Sequence, residues 1–108
     1  MEEMNNKFKK GVLKIIILNC LKERDKYGGE IIKELYEKSN GFFDLKAGTL
    51  YSIVHRFDEK NLVEHYWGKS DETARRKYYH LTKEGRESLS LEINKLDRVV
   101  KNINSLLN

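Results

Sequence analysis

The chain has 108 residues, 39% of them hydrophobic and 35% charged, with a formal net charge of +4. That length supports one hydrophobic core and not two, and the mild basicity permits an anionic partner without requiring one. A single cysteine, Cys20, excludes an intramolecular disulfide. Its place inside an apolar run reads as a small core residue. The run Val12–Leu21 contains Lys14 and Asn19 and falls well short of the roughly 20 apolar residues that cross a bilayer. The polar, charged stretch Met1–Lys10 does not read as a secretory leader. A cytoplasmic protein with no membrane partner is expected.

A first helix is expected over about Asn5–Lys22. Val12, Leu13, Ile15, Ile16, Ile17, Leu18, Cys20 and Leu21 wrap most of its circumference, so it needs cover on more than one side. In so short a chain the second cover points to another subunit. Lys7, Lys9 and Lys10 read as a solvated helix start, with phosphate contact as the alternative. Glu23–Tyr27 is a polar break, and Gly28-Gly29 opens a second helix with Ile31, Ile32, Leu35 and Tyr36 on its apolar side. Glu30 and Glu34 form a like-charge i, i+4 pair, and Glu34–Lys38 a favourable one. Ser39-Asn40-Gly41 ends that helix, since Asn and Gly accept the left-handed conformation of a C-terminus. Phe42, Phe43 and Leu45 are an apolar connector.

A third helix is expected over Ala47–Lys60. Leu50, Ile53, Val54 and Phe57 fall at i, i+3, i+4 and i+7, one face of a 3.6-residue period. Thr49, Ser52, His55, Arg56 and Glu59 occupy the opposite face, and Gly48-Thr49 leaves the front of the helix uncrowded. Leu62–Trp67 and Lys77–Leu81 read as two strands of a hairpin around a polar loop, Gly68–Arg76, which ends in Arg75-Arg76-Lys77. A helix with a polar face followed by a cation-bearing hairpin is the order in which a winged helix meets a duplex. The fourth helix, Lys83–Asn108, carries Leu89, Ile93, Leu96, Val100, Ile103 and Leu107 at spacings of four, three, four, three and four. That heptad seam, beside an over-apolar first helix, predicts a symmetric dimer. Intramolecular packing of the seam is the alternative.

No motif for catalysis appears. His55, His65 and His80 lack metal-ligand spacing, and no phosphate-cradling loop or nucleophile elbow occurs. No enzyme activity, metal or cofactor is expected. His65 and His80 fall in the paired strands as candidate neighbours, read as surface groups.

Tyr27-Gly28, Gly48-Thr49-Leu50-Tyr51, Tyr66-Trp67-Gly68, Arg75-Arg76-Lys77-Tyr78-Tyr79, Leu81-Thr82 and Gly85 together resemble the PadR family of bacterial transcriptional regulators, in the right order and over nearly the whole chain. The short C-terminal helix is similar to that of the subfamily with a single dimerisation helix. The resemblance implies a mainly α fold with a small β-hairpin. A winged helix-turn-helix would occupy residues 1–82, first helix included, and a dimerisation helix residues 83–108. It also implies a homodimeric repressor on a near-palindromic stretch of double-stranded DNA, with the third helix in the major groove and the wing on backbone or minor groove.

Carried over residue by residue, the resemblance implies Lys46, Thr49, Tyr51, Ser52 and Arg56 on the reading helix, Arg75, Arg76 and Lys77 in the wing, and Tyr27 and Gly28 near phosphate. Tyr51 packing on the wing is an alternative, and Trp67 and Tyr78 are expected in the core. The fourth helix would pack on the partner's first and fourth helices, through Val12, Ile15, Ile16, Leu89, Ile93, Leu96, Val100, Ile103 and Leu107. Asn61 stands where relatives carry a glycine and accepts the same left-handed cap. Multidrug-sensing relatives carry a fourth-helix tryptophan that stacks on flat aromatic drugs; here that position is Leu96. A pocket along Leu89, Ile93, Leu96 and Val100 would either take a small apolar or aromatic effector or close by packing. The region Lys46–Thr82 carries seven cations against five acids, and that modest excess keeps a protein-interaction module as the alternative function.

Overall fold

The apolar periodicities translate into helices packed around one core, with a small antiparallel sheet at its side. The computed structural model describes residues 6–69 and 74–108. Its elements are α1 (Asn6–Cys20), β1 (Lys26–Tyr27), α2 (Gly28–Lys38), α3 (Ala47–Glu59), β2 (Val63–Lys69), β3 (Arg75–Leu81) and α4 (Lys83–Leu107). Asn5 and the side chains of Lys7 and Lys9 lie outside what is described. α1 ends two residues earlier than expected. Leu21 N–H donates to the Leu18 carbonyl and Lys22 N–H to that of Asn19, a three-residue pattern that tightens and closes the last turn.

Leu13, Ile17 and Leu18 of α1 and Leu21 just past its end meet Ile31 and Leu35 of α2, and Leu50, Ile53, Val54 and Phe57 of α3, in one core that Val63, Tyr79, Leu81 and Leu89 complete. Each aliphatic side chain fully buried there contributes about 2 kcal/mol. Ile15 and Ile16 pack only partly against it. α2 stops as the sequence suggests, with Asn40 and Gly41 at φ 54° and 81°, and Asn61 caps α3 at φ 61°. Cys20 is buried, and burial pushes its thiol up to about 12.

The sheet corrects the two-stranded expectation. Its order is β1-β3-β2, all antiparallel, because Lys26 and Tyr27 of the supposed polar break pair with Tyr79 and Tyr78. Lys26 tolerates burial because its ammonium donates to the Cys20 carbonyl and lies 2.8 Å from Glu34 Oε1. The like-charge pair on α2 is resolved in the same way. Arg24 reaches Glu30 at 3.0 Å, and Lys38 reaches Glu34 at 3.1 Å.

The hairpin strands are longer than their periodicity suggested, so Arg75 and Arg76 belong to the ladder rather than to the loop. Residues 70–73 of the expected loop lie outside the described residues. His65 and His80 are not neighbours. Their register, His65 against Tyr79 and Glu64 against His80, puts them on opposite faces of the sheet. His65 bonds Asp58 of α3, and His80 bonds Asp25 ahead of β1.

Thr82 starts α4 by accepting from Gly85 N–H at 2.9 Å and donating to the Leu62 carbonyl at 3.0 Å. Leu89, expected on the seam, is only 2% exposed and is taken up by the core of its own chain. Ile93 packs partly against the same core and Leu96 is half-buried beside α1, and beyond them the helix is exposed. At 1.5 Å per residue, α4 is about 37 Å long, most of the molecule's 54 Å long axis. Val100, Ile103 and Leu107 are 47%, 48% and 76% exposed along it. Among the described residues, no helix is long and apolar enough to cross a membrane.

Candidate nucleic-acid interface

α3 buries one stripe and presents the other, and the sheet stands beside that second face. Between them runs an open groove of about 800 Å³, lined by Tyr27, Gly28 and Gly29, by Gly48, Tyr51, Ser52, His55 and Asp58, and by Trp67, Arg75, Arg76, Lys77 and Tyr79. Its depth is set by how closely α3 approaches the start of α2. A Cβ built on Gly28 would meet the Tyr51 ring and hydroxyl at 3.0 Å and Leu50 Cδ2 at 3.2 Å, so a larger residue would make those side chains give way. The bond between Asp58 and His65 ties the end of α3 to β2 and holds the sheet at this distance.

The sheet supplies the positive wall. Because side chains alternate along a strand, the register of Trp67 with Lys77 and Lys69 with Arg75 puts those four residues and Tyr79 on the face turned to α3. The cations are held over aromatic rings. Arg75 lies 5.7 Å from the Trp67 ring centre, Arg76 4.9 Å from that of Tyr27, and Lys77 5.9 Å from that of Tyr79. Such stacking orients a guanidinium and keeps its charge at the strand surface. On the far face Tyr66 and Tyr78 stack at 5.6 Å, with Tyr27 edge-on to Tyr78.

The start of α2 adds a third donor group. Glu30 reaches back to the Tyr27 N–H at 3.1 Å, which fixes the first turn and leaves the backbone at Gly28 and Gly29 beside the groove. Burial would raise the Glu30 carboxyl, but Arg24 and the Tyr27 N–H outweigh it and hold it below the usual range. Helix N-termini carry partial positive charge suited to anions. Among the described residues, no group of three His, Cys, Asp or Glu is placed to hold a metal.

The sequence-derived candidates divide between two flanks of α3. Tyr27, Gly28, Tyr51, Ser52, Arg75, Arg76 and Lys77 share the groove. Thr49 and Arg56 face a smaller cleft of about 320 Å³ on the α1 side, where Lys10 and Lys14 join them. Lys46 is exposed at the N-cap of α3. Tyr51 sits against Gly28 at the start of α2. Trp67 corrects an expectation outright, because it is 58% exposed on the groove wall instead of being core. His55 and Lys14 were not singled out as contacts. Helical spacing from Ser52 and from Lys10 was the available signal for both.

Residues 17–91, from within α1 to the early turns of α4, match the Transcriptional regulator PadR-like family. A transcriptional regulator from Clostridium thermocellum is 32% identical, with a TM-score of 0.84 over 94% of this chain and 99% of that one. A PadR family transcription regulator from Clostridium difficile is 34% identical, with a TM-score of 0.78 over 89% of this chain and 98% of that one. PadR of Bacillus subtilis, solved in complex with operator DNA, shares the fold at 23% identity and a TM-score of 0.66, over 73% of this chain and 45% of that one. The matched span holds α2, α3 and the whole hairpin, and the chain belongs to the PadR-like family of transcriptional regulators.

Proposed function

We propose that the chain is a cytoplasmic, homodimeric repressor that binds a near-palindromic operator, with α3 in the major groove and the wing on flanking backbone. One observation carries the reading: Tyr51, Ser52 and His55 of α3, the start of α2 and the cations of β3 line a single groove. Hydroxyls on Tyr51 and Ser52 and the Arg56 fork offer hydrogen bonds to base edges, while Arg75, Arg76 and Lys77 offer charge to phosphate. The complex of Bacillus subtilis PadR with operator DNA supports a duplex as the partner of this fold. The exposed stripe Val100, Ile103 and Leu107 supports a second copy on α4. In such a dimer the two α3 helices would read half-sites about 34 Å apart.

Release by a small apolar or aromatic effector belongs to the same proposal. Its support is an open cleft of about 340 Å³ along α1 and α4, where Val12, Ile15, Leu96 and Val99 supply apolar walls. A ligand there would act only by binding one arrangement of the two α4 helices better than the other.

Fluorescence anisotropy tests the repressor reading. The duplex upstream of the protein's own gene is compared with a scrambled duplex across a salt series. Selective binding is expected, with log K falling about 0.9 per phosphate neutralised per decade of salt. Arg75→Ala with Arg76→Ala weakens both duplexes and shallows that slope, whereas Ser52→Ala or Arg56→Ala changes which sequence is preferred. Weak, equal binding to every duplex in a random pool would overturn the reading in favour of a protein partner.

A further inference from the structure

An exposed tryptophan between cations is an unusual thing for a soluble surface to present. Trp67, the only tryptophan of the chain, is 58% exposed. It stands on the wall of the groove that faces α3, across the strand pair from Lys77 and with the Arg75 guanidinium 5.7 Å from its ring centre. The core does not use this indole, and no described hydrogen bond employs it. A surface that pairs a large flat apolar group with cations suits a partner offering apolar faces and anions at the same spacing. The rim of a DNA groove has that composition, with deoxyribose faces between phosphates. An acidic protein surface supplies anions without the regular apolar faces.

We infer that Trp67 is a duplex contact of the wing, packing its indole against the sugar walls beside the groove while Arg75, stacked on it, reaches the adjoining phosphate. Trp67 and Arg75 then act as one unit with separable contributions. The indole supplies contact area independent of salt, and the guanidinium supplies the salt-dependent part. This rests on the duplex reading above and adds to it a residue that the cation pattern alone does not pick out.

Trp67 also reports on its own environment. The full-length protein is titrated with the tightest end-labelled duplex recovered from a random pool. Label anisotropy gives occupancy, while tryptophan emission and acrylamide quenching are read in the same samples. Saturation shifts the emission and lowers the quenching constant about threefold. Trp67→Ala weakens binding about tenfold, roughly 1.4 kcal/mol, with the slope of log K against log salt unchanged. Trp67→Phe keeps most of the affinity, and Arg75→Ala lowers the slope by about 1. Thermal melts of both tryptophan variants stay near that of the parent, because the side chain is outside the core.

Tight binding by anisotropy with unchanged emission and quenching would overturn the inference and leave the repressor reading standing. So would an unaltered affinity in Trp67→Ala. Equal protection by heparin at matched occupancy would overturn it too, since a flexible polyanion offers no groove. A pool from which no duplex is retained would overturn both.

Discussion

Asp25 Oδ1 lies 2.8 Å from His80 Nδ1 across 55 residues of chain, and the second oxygen of the same carboxylate accepts from the Tyr66 hydroxyl at 2.7 Å. One side chain ahead of β1 thereby holds both strands of the wing. Burial would raise the Asp25 carboxyl, but the bonds from Tyr66 and His80 carry it below its usual value. The bond to Asp25, followed by burial, pushes the Tyr66 phenol up to about 12.

The pH dependence follows from those two directions. A carboxyl whose folded pKa is depressed stabilises fully above its unfolded value, about 3.9, and that stability disappears as pH falls through the folded value. A phenol held neutral stabilises below its unfolded value, about 10, and that share is lost between there and about 12. Asp25→Ala should therefore melt lower than the parent at pH 7, with the gap closing below about pH 4. Circular-dichroism melts from pH 2.5 to 8 measure it. A gap that stayed constant with pH would mean that the Asp25 charge contributes nothing to holding the wing.

Gly85 is where α4 crosses the end of the sheet. A Cβ there would lie 2.1 Å from the Leu62 carbonyl oxygen, 2.7 Å from Leu81 Cδ1 and 3.0 Å from the Leu62 carbonyl carbon. Two of those atoms are backbone and cannot rotate away. Gly85→Ala should cost about 3 kcal/mol through overpacking, despite alanine's better helix propensity. Urea unfolding followed by far-ultraviolet circular dichroism checks this, and a neutral or stabilising result would mean that α4 does not dock here.

Long periodic segments were legible in the residues, and features created by tertiary contact were not. α3 was readable because Leu50, Ile53, Val54 and Phe57 repeat at helical spacing, and each is buried as that spacing requires. Asn40, Gly41 and Asn61 announced their left-handed conformations by residue type. β1 was illegible, because two residues carry no period and Lys26 looks like surface until Cys20 and Glu34 are seen around it. Trp67 was misread because size and apolarity favour a core position, whereas its exposure depends on the gap between sheet and α3. Leu89 satisfied the heptad as well as Val100 does, and only the docking of the first turns of α4 separates them.

Gly48 separates stability from binding. A Cβ built there meets nothing within 4 Å, and the residue borders both the groove and the α1-side cleft. Gly48→Ala should stabilise the fold by about 0.5 kcal/mol, since glycine in a helix forgoes about that much relative to alanine. Gly48→Leu should fold equally well yet bind duplex at least tenfold more weakly, because its side chain occupies space that a duplex would enter. Melting curves and anisotropy on the same preparations test the pair. Parental affinity in Gly48→Leu would mean that the front of α3 stays clear of the duplex.

The exposed stripe of α4 yields the last prediction. Val100, Ile103 and Leu107 continue the three-and-four spacing beyond the chain's own core, and Val99 and Leu106 beside them are 52% and 84% exposed. Contiguous exposed apolar patches on a soluble protein mark interaction surfaces. Val100→Asp with Ile103→Asp should convert a species of twice the chain mass into one of the chain mass in sedimentation equilibrium. Duplex affinity should fall about 100-fold as the half-sites lose their linkage. Leu91 is the control, because it is 62% exposed but lies about 200° around the helix from Leu89, off the stripe. Leu91→Asp should leave both mass and affinity unchanged. If it dissociated the protein as readily as the stripe variants, the contact would lie on the other face of α4, and the heptad seam would not be the interface.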